Sequence, residues 1–221
     1  MKKVILTALA VLAFGFTNAQ KNVRFGLKGG LNLSTLTGDV QNAEIKPGVH
    51  IGGLVEIKLT NRFSLQPELL LSMQGAKSDY SENFGGVRYE YEDKYNLTYI
   101  NVPVMAKFYV IPKLSLEAGP QLGFLVSAKN KYTERSIDGN NSSSISDTQD
   151  VKGDFATIDA GVNFGLSYYF TDNIFIQGRY SLGLTSIDDR SYNVDDNGDF
   201  DYYDDYSVQN SVLQFSFGYR F

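Results

Sequence analysis

From Ser211 to Phe221 the chain reads SVLQFSFGYRF, and its side chains alternate without a break. Leu213, Phe215, Phe217, Tyr219 and Phe221 fall on one face of an extended strand. Val212, Gln214, Ser216, Gly218 and Arg220 fall on the other. A period of two with so greasy a face predicts a strand whose two sides meet different surroundings.

The same period recurs along the chain. Phe25, Leu27, Leu31 and Leu33 alternate with Arg24, Lys28 and Asn32, and Ile51, Val55 and Ile57 with His50, Glu56 and Lys58. Leu65, Leu69 and Leu71 alternate with Gln66, Glu68 and Ser72, and Val102, Val104 and Ala106 with Asn101 and Lys107. Leu116, Leu122 and Phe124 oppose Glu117 and Gln121, Val162, Phe164 and Leu166 oppose Asp159 and Asn163, and Ile174 and Ile176 oppose Gln177 and Arg179. Three tight connections, Thr60-Asn61-Arg62, Ile111-Pro112-Lys113 and Thr171-Asp172-Asn173, punctuate the series. The polar stretches 77–96 and 130–153, and an acidic stretch before the last strand, read as long loops.

Eight strands of about ten residues, joined by connections that alternate between long and short, predict an all-β fold: an eight-stranded antiparallel up-and-down transmembrane β-barrel. Alternation does not by itself say which face points outward, and a soluble, lipocalin-like periplasmic ligand carrier would use the same period with its apolar face inside. Loop asymmetry, the aromatic carboxy-terminal strand and the aromatics beside the tight turns favour the membrane. Phe63, Phe108, Tyr109, Tyr168, Tyr169, Phe170, Phe175, Tyr219 and Phe221 are expected to form an interfacial girdle there.

Lys2 and Lys3, the apolar run Val4 to Phe16 and the exit Thr17-Asn18-Ala19 read as a cleaved signal peptide over residues 1–19, with a barrel domain over 20–221. The run is too short to span a bilayer as a helix. Removing the two lysines takes the formal charge of −5 to −7, and no basic stripe is present, which excludes nucleic acid as a partner. Cysteine is absent, so disulfides, thiol catalysis and thiolate-bound metals are excluded as well.

Tyr99-Ile100-Asn101-Val102-Pro103-Val104-Met105-Ala106-Lys107-Phe108, followed by Leu116-Glu117-Ala118-Gly119-Pro120-Gln121-Leu122-Gly123, resembles the central strands of the PorT-like outer-membrane β-barrel proteins of Bacteroidota. The opening Phe25-Gly26-Leu27-Lys28-Gly29-Gly30-Leu31-Asn32 and the hairpin through Thr171-Asp172-Asn173 to Arg179-Tyr180 are similar to that family too. The resemblance implies a monomeric barrel in the cell outer membrane, lipids as its surroundings, and an accessory role in protein secretion with an envelope or secretion-system protein as partner. Termini are then periplasmic and long loops extracellular.

On the inward face the charges Arg24, Lys28, Glu56, Lys58, Glu68, Lys107, Glu117, Asp159, Arg179 and Arg220 are expected to form a lumen network of mixed sign. Eight strands leave an interior just wide enough for side chains to fill, so the network reads as a plug, with a small porin-like channel for solutes as the alternative. No catalytic residue or cofactor is assigned. Hydrolysis would need a serine with a histidine base, and His50 is the single histidine, without a G-x-S-x-G motif.

The acidic stretch 193–204 sets Asp195, Asn197, Asp199, Asp201 and Asp204 at the spacing of a Ca2+ loop around Gly198. Asn193 at the first position and Asp204 at the twelfth depart from that pattern, and a solvated acidic hairpin explains the same residues. Tyr80, Tyr89, Tyr91 and Tyr95 in one polar stretch, and Tyr192, Tyr202, Tyr203 and Tyr206 in another, predict surface-exposed binding loops on a barrel scaffold.

Overall fold

The computed structural model describes residues 22–40, 43–139, 141–188 and 207–221. Nine antiparallel strands run in chain order: β1 (Val23–Gly38), β2 (Glu44–Lys58), β3 (Phe63–Phe84), β4 (Val87–Ile111), β5 (Leu114–Asp138), β6 (Asn141–Asp150), β7 (Ile158–Tyr169), β8 (Ile174–Gly183) and β9 (Val208–Arg220). Each of eight strands pairs with its neighbours in the order β1-β2-β3-β4-β5-β7-β8-β9, and β9 pairs back onto β1. The ring is closed by hydrogen bonds, so none of these eight strands has a free edge within it.

Register explains the closure. Leu27 stands opposite Tyr219 and Leu31 opposite Phe215, so β9 joins β1 with greasy residue against greasy residue and Gln214 against Asn32. At one end of the ring lie the short turns. Thr60 Oγ1 accepts from the Arg62 and Phe63 amides at 3.2 and 3.0 Å, and Thr171 Oγ1 accepts from the Asn173 and Ile174 amides at 3.2 and 3.0 Å. The same hydroxyl-capped turn is used twice.

The other end differs from the loops expected from the sequence. Residues 77–96 and 130–150 are strand: β3 and β4 run on past the ring and pair to a turn at Gly85-Gly86, and β5 turns at Gly139 into β6. Both glycines of the first turn have positive φ, +60° and +87°, and Gly139 has +56°, the backbone that a two-residue hairpin turn demands. With β4 and β5 paired along this whole length, β3, β4, β5 and β6 build a four-stranded extension, which we call the hairpin end. β6 is therefore a ninth strand outside the ring.

The polarity of the ring is inverted relative to a soluble protein. Lys107 and Arg179 are fully buried inside, whereas Leu27, Ile51, Leu69, Phe164 and Phe217 are each more than half exposed on the outer face. A continuous greasy exterior of this kind calls for an apolar solvent. It overturns the soluble-carrier arrangement, which needs the apolar face inside. It also sorts the aromatics at the turn end. Phe63, Phe108, Tyr168, Phe170, Tyr219 and Phe221 stand on the outward parity, with contacts of 5.0 Å between Phe63 and Phe108 and 5.3 Å between Tyr168 and Phe170. Tyr109, Tyr169 and Phe175 do not join that girdle: they turn inward and pack with Leu54 as a floor inside the ring.

Candidate functional site: the filled interior and the hairpin end

Strand parity aims the charges inward, and the narrow ring makes them meet. Arg179 on β8 donates to both oxygens of Glu68 on β3, at 2.9 and 2.7 Å, and to Glu117 on β5 at 3.0 and 2.9 Å. This is fork geometry toward two carboxylates at once. Lys28 lies 2.8 Å from Glu68 and donates to Gln177 Oε1 at 2.7 Å, while Gln177 Nε2 donates to Glu117 at 2.9 Å. Lys107 sits 3.7 Å from Glu117 and donates to the Tyr169 hydroxyl at 2.8 Å. Toward the turn end, Glu56 receives Arg220 and the hydroxyls of Tyr109 and Tyr169. The Arg220 guanidinium lies 4.3 Å over the Tyr169 ring. Every one of these charges has a partner, which is the condition for tolerating ions away from water.

Seven of the expected inward charges, Lys28, Glu56, Glu68, Lys107, Glu117, Arg179 and Arg220, therefore form one network. Three do not. Lys58 is exposed at the last residue of β2, and Arg24 is exposed at the start of β1 with its guanidinium 3.4 Å from the Asp172 carbonyl. Both sit where the interior opens at the turn end, so parity alone does not bury them. Asp159 is buried but apart: it stands opposite Gly123, whereas Glu117 stands opposite Gly165, six residues along β7 or roughly 20 Å.

The neutral members of the network escaped the reading of charges. Gln66, Ser167, Gln177, Tyr109 and Tyr169 share the inward parity two residues from Glu68, Arg179 or Lys107, or from one another. That spacing was the signal available for them.

His50 lies between Asn32 and Ser216, with Nδ1 2.8 Å from Asn32 Oδ1 and Nε2 2.8 Å from Ser216 Oγ. Serine, imidazole and an orienting amide in a row resemble a nucleophile with its base. All three side chains are buried inside the filled ring, and Asn32 Nδ2 is spent on Ser72 Oγ and the Met73 carbonyl at 3.0 and 2.8 Å. The chain of bonds ties β1, β2, β3 and β9 together.

At the hairpin end an apolar cap crosses the interior, in which Leu36, Leu97, Tyr99, Leu125, Ile187 and Val208 are buried together. Beyond it the extension carries an aromatic ladder on its inner face. Tyr80 stacks on Tyr91 at 6.1 Å between ring centroids, and Tyr91 on Tyr132 at 6.3 Å. Burial and the neighbouring Glu82 raise the Tyr91 hydroxyl above its usual range. A groove of about 370 Å³ lies against the extension, lined by Asp79, Ser81, Arg88, Glu90 and Arg135 among others. Of the tyrosines expected to mark binding loops, Tyr80, Tyr89, Tyr91 and Tyr95 are thus on strands. Tyr192, Tyr202, Tyr203, Tyr206 and the calcium-loop positions Asp195, Asn197, Asp199, Asp201 and Asp204 lie outside the described residues, as does the leader 1–19. Among the described residues no group of three His, Asp or Glu side chains is arranged to hold a metal.

Comparison with solved structures finds several similar folds at low identity. The attachment invasion locus protein Ail of Yersinia pestis, solved with the heparin analogue sucrose octasulfate, is 14% identical over 90% of this chain and 99% of its own, with a TM-score of 0.44. Neisserial surface protein A is 13% identical over 89% and 97%, with a TM-score of 0.49. CarO2 of Acinetobacter baumannii is 12% identical over 88% and 98%, with a TM-score of 0.37. No curated protein matches the chain. Residues 18–189 match the family model of the outer membrane protein beta-barrel domain, and the chain belongs to that family.

Proposed function

We propose that the protein is a monomeric transmembrane barrel without catalytic activity, used as a rigid scaffold that presents the β3–β6 extension as a binding surface outside the cell. The observation that carries this reading is the inverted ring. Its greasy exterior needs lipid, and its interior is occupied at three successive levels: the aromatic floor, the ion network and the apolar cap. A filled interior argues for presentation of the strands above it and against passage of solutes through it. The stacked tyrosines supply rigid contact area with polar tips, and the groove beside them adds both charge signs. The turn end, with the amino-terminal strand start, then faces the periplasm.

Resemblance to the PorT-like proteins extends this reading to an accessory role in secretion, in which the surface would engage an envelope protein. Fractionation followed by trypsin treatment of intact cells tests the scaffold reading. Recovery in the outer membrane with cleavage at Arg88, Lys131 or Arg135 is the expected result. Recovery in the soluble periplasm, or protection of the extension with cleavage at Arg62 or Lys113, would overturn it. Deletion that leaves secreted cargo unaffected would remove the secretion role and leave the scaffold standing.

A further inference from the structure

Glu56, Glu68 and Glu117 each face a lysine or arginine inside the ring; Asp159, at 6% exposure, meets none among the described residues. Its carboxylate accepts two neutral bonds, from Asn210 Nδ2 at 2.9 Å and from Thr185 Oγ1 at 3.2 Å. Two neutral donors do not offset a buried charge, so the carboxylate needs a counter-charge or a proton.

The surroundings favour the counter-charge. Gly123 stands directly opposite Asp159 and has no side chain to fill the space between them. A Cβ there would lie 2.8 Å from Asn101 Oδ1, 3.3 Å from the Tyr99 ring and 3.5 Å from the Asp159 carbonyl oxygen. Asn101 is 1% exposed, and neither its Oδ1 nor its Nδ2 meets a protein partner. The Oδ1 of Asn210, beside the carboxylate, has none either. Oxygen atoms thus converge on a niche that a glycine keeps open.

The geometry points to a site for one hard monovalent cation of about the size of sodium, held by the Asp159 carboxylate and the amide oxygens of Asn101 and Asn210. Oxygen-only ligands suit hard cations. One carboxylate balances one positive charge, whereas a divalent ion would leave excess charge buried. No thiolate exists in the chain, and its single histidine is engaged by Asn32 and Ser216. Since the apolar cap covers the niche, the ion enters as the ring closes and stabilises the hairpin end of the interior.

The test follows thermal unfolding of the purified full chain in detergent, through loss of heat-modifiable gel mobility, in NaCl, KCl, CaCl2 and choline chloride at equal ionic strength. An ion that binds only the folded ring raises the midpoint with its concentration. The expected result is a higher midpoint in NaCl than in choline chloride, lost in Asp159→Asn. Where that variant fails to fold, Asn101→Ser carries the test and should lose most of the same shift. Equal midpoints in sodium and choline for the unmodified protein, an undiminished sodium shift in the variants, or a shift with calcium alone would each overturn the proposal.

Discussion

Arg179 is the residue on which the interior turns, because its guanidinium satisfies Glu68 and Glu117 together. Replacing it with methionine keeps similar volume but leaves two buried carboxylates to share Lys28 and Lys107, at a cost of about 3–5 kcal/mol. Urea titration of the purified protein, read by folded-state gel mobility, should show that loss. Arg179→Lys keeps the charge without the fork and should also fall below the unmodified protein. Gly218 makes a different kind of prediction. It stands opposite Phe175, whose ring crosses the strand so closely that an alanine Cβ would lie 2.2 Å from it. Gly218→Ala should destabilise the fold, and pairing it with Phe175→Leu should recover much of the loss; strict additivity in that cycle would refute the contact. The two residues also mark how far parity reads a sequence. Alternation put Arg179 inside correctly, since a charge on the polar face of a mid-ring strand has nowhere else to go. Proximity to the turns put Phe175, Tyr109 and Tyr169 on the outer girdle, yet a strand end offers an aromatic ring two apolar surroundings, the lipid interface and the floor of the interior. Phe175 alternates with Ile174 and Ile176, and parity was the better guide.

At the level of elements, the ring strands and their three tight turns were legible because each strand carries one greasy face. The extension was not, because neither of its faces is greasy. Segments 77–96 and 130–150 hold their strands by cross-strand pairs, such as Tyr80 opposite Tyr91 and Glu90 opposite Arg135. Gly85-Gly86, and Gly139 after Asp138, were the available turn signals. Outside the ring, Lys77 shows the same local pairing: hydrogen bonds to Asp79 and Glu44 raise its ammonium above the usual lysine range. This division of labour predicts that the extension and the ring are separable. Replacing residues 79–92 with Asn-Gly joins Ser78 to Asp93, which already stand opposite each other, through a two-residue turn. The shortened protein should still reach the outer membrane and show heat-modifiable mobility. Failure to assemble would mean that the hairpin takes part in closing the ring.

For the molecule as a whole, the decisive quantity is what lies across the interior. A ring of eight strands could leave a water-filled path only if some inward side chains were small or poorly engaged. Here Tyr169 and Phe175 cross the turn end, Arg179 binds β8 to β3 and β5 at mid-height, and Leu97, Tyr99 and Ile187 close the hairpin end. An ion entering from either side would have to displace an apolar layer and then compete with paired charges that water cannot reach. Removing one layer does not open the others, so blockage should survive single lesions. Planar bilayers holding the purified protein should accordingly show no steady conductance. Tyr169→Ala together with Phe175→Ala, which strips the floor alone, should stay silent too. A steady current in the unmodified protein would mean that the ion network rearranges as a gate and that the channel reading is correct. Current only after removal of the floor would instead place the whole barrier at the turn end and deny the network and the cap any share in it.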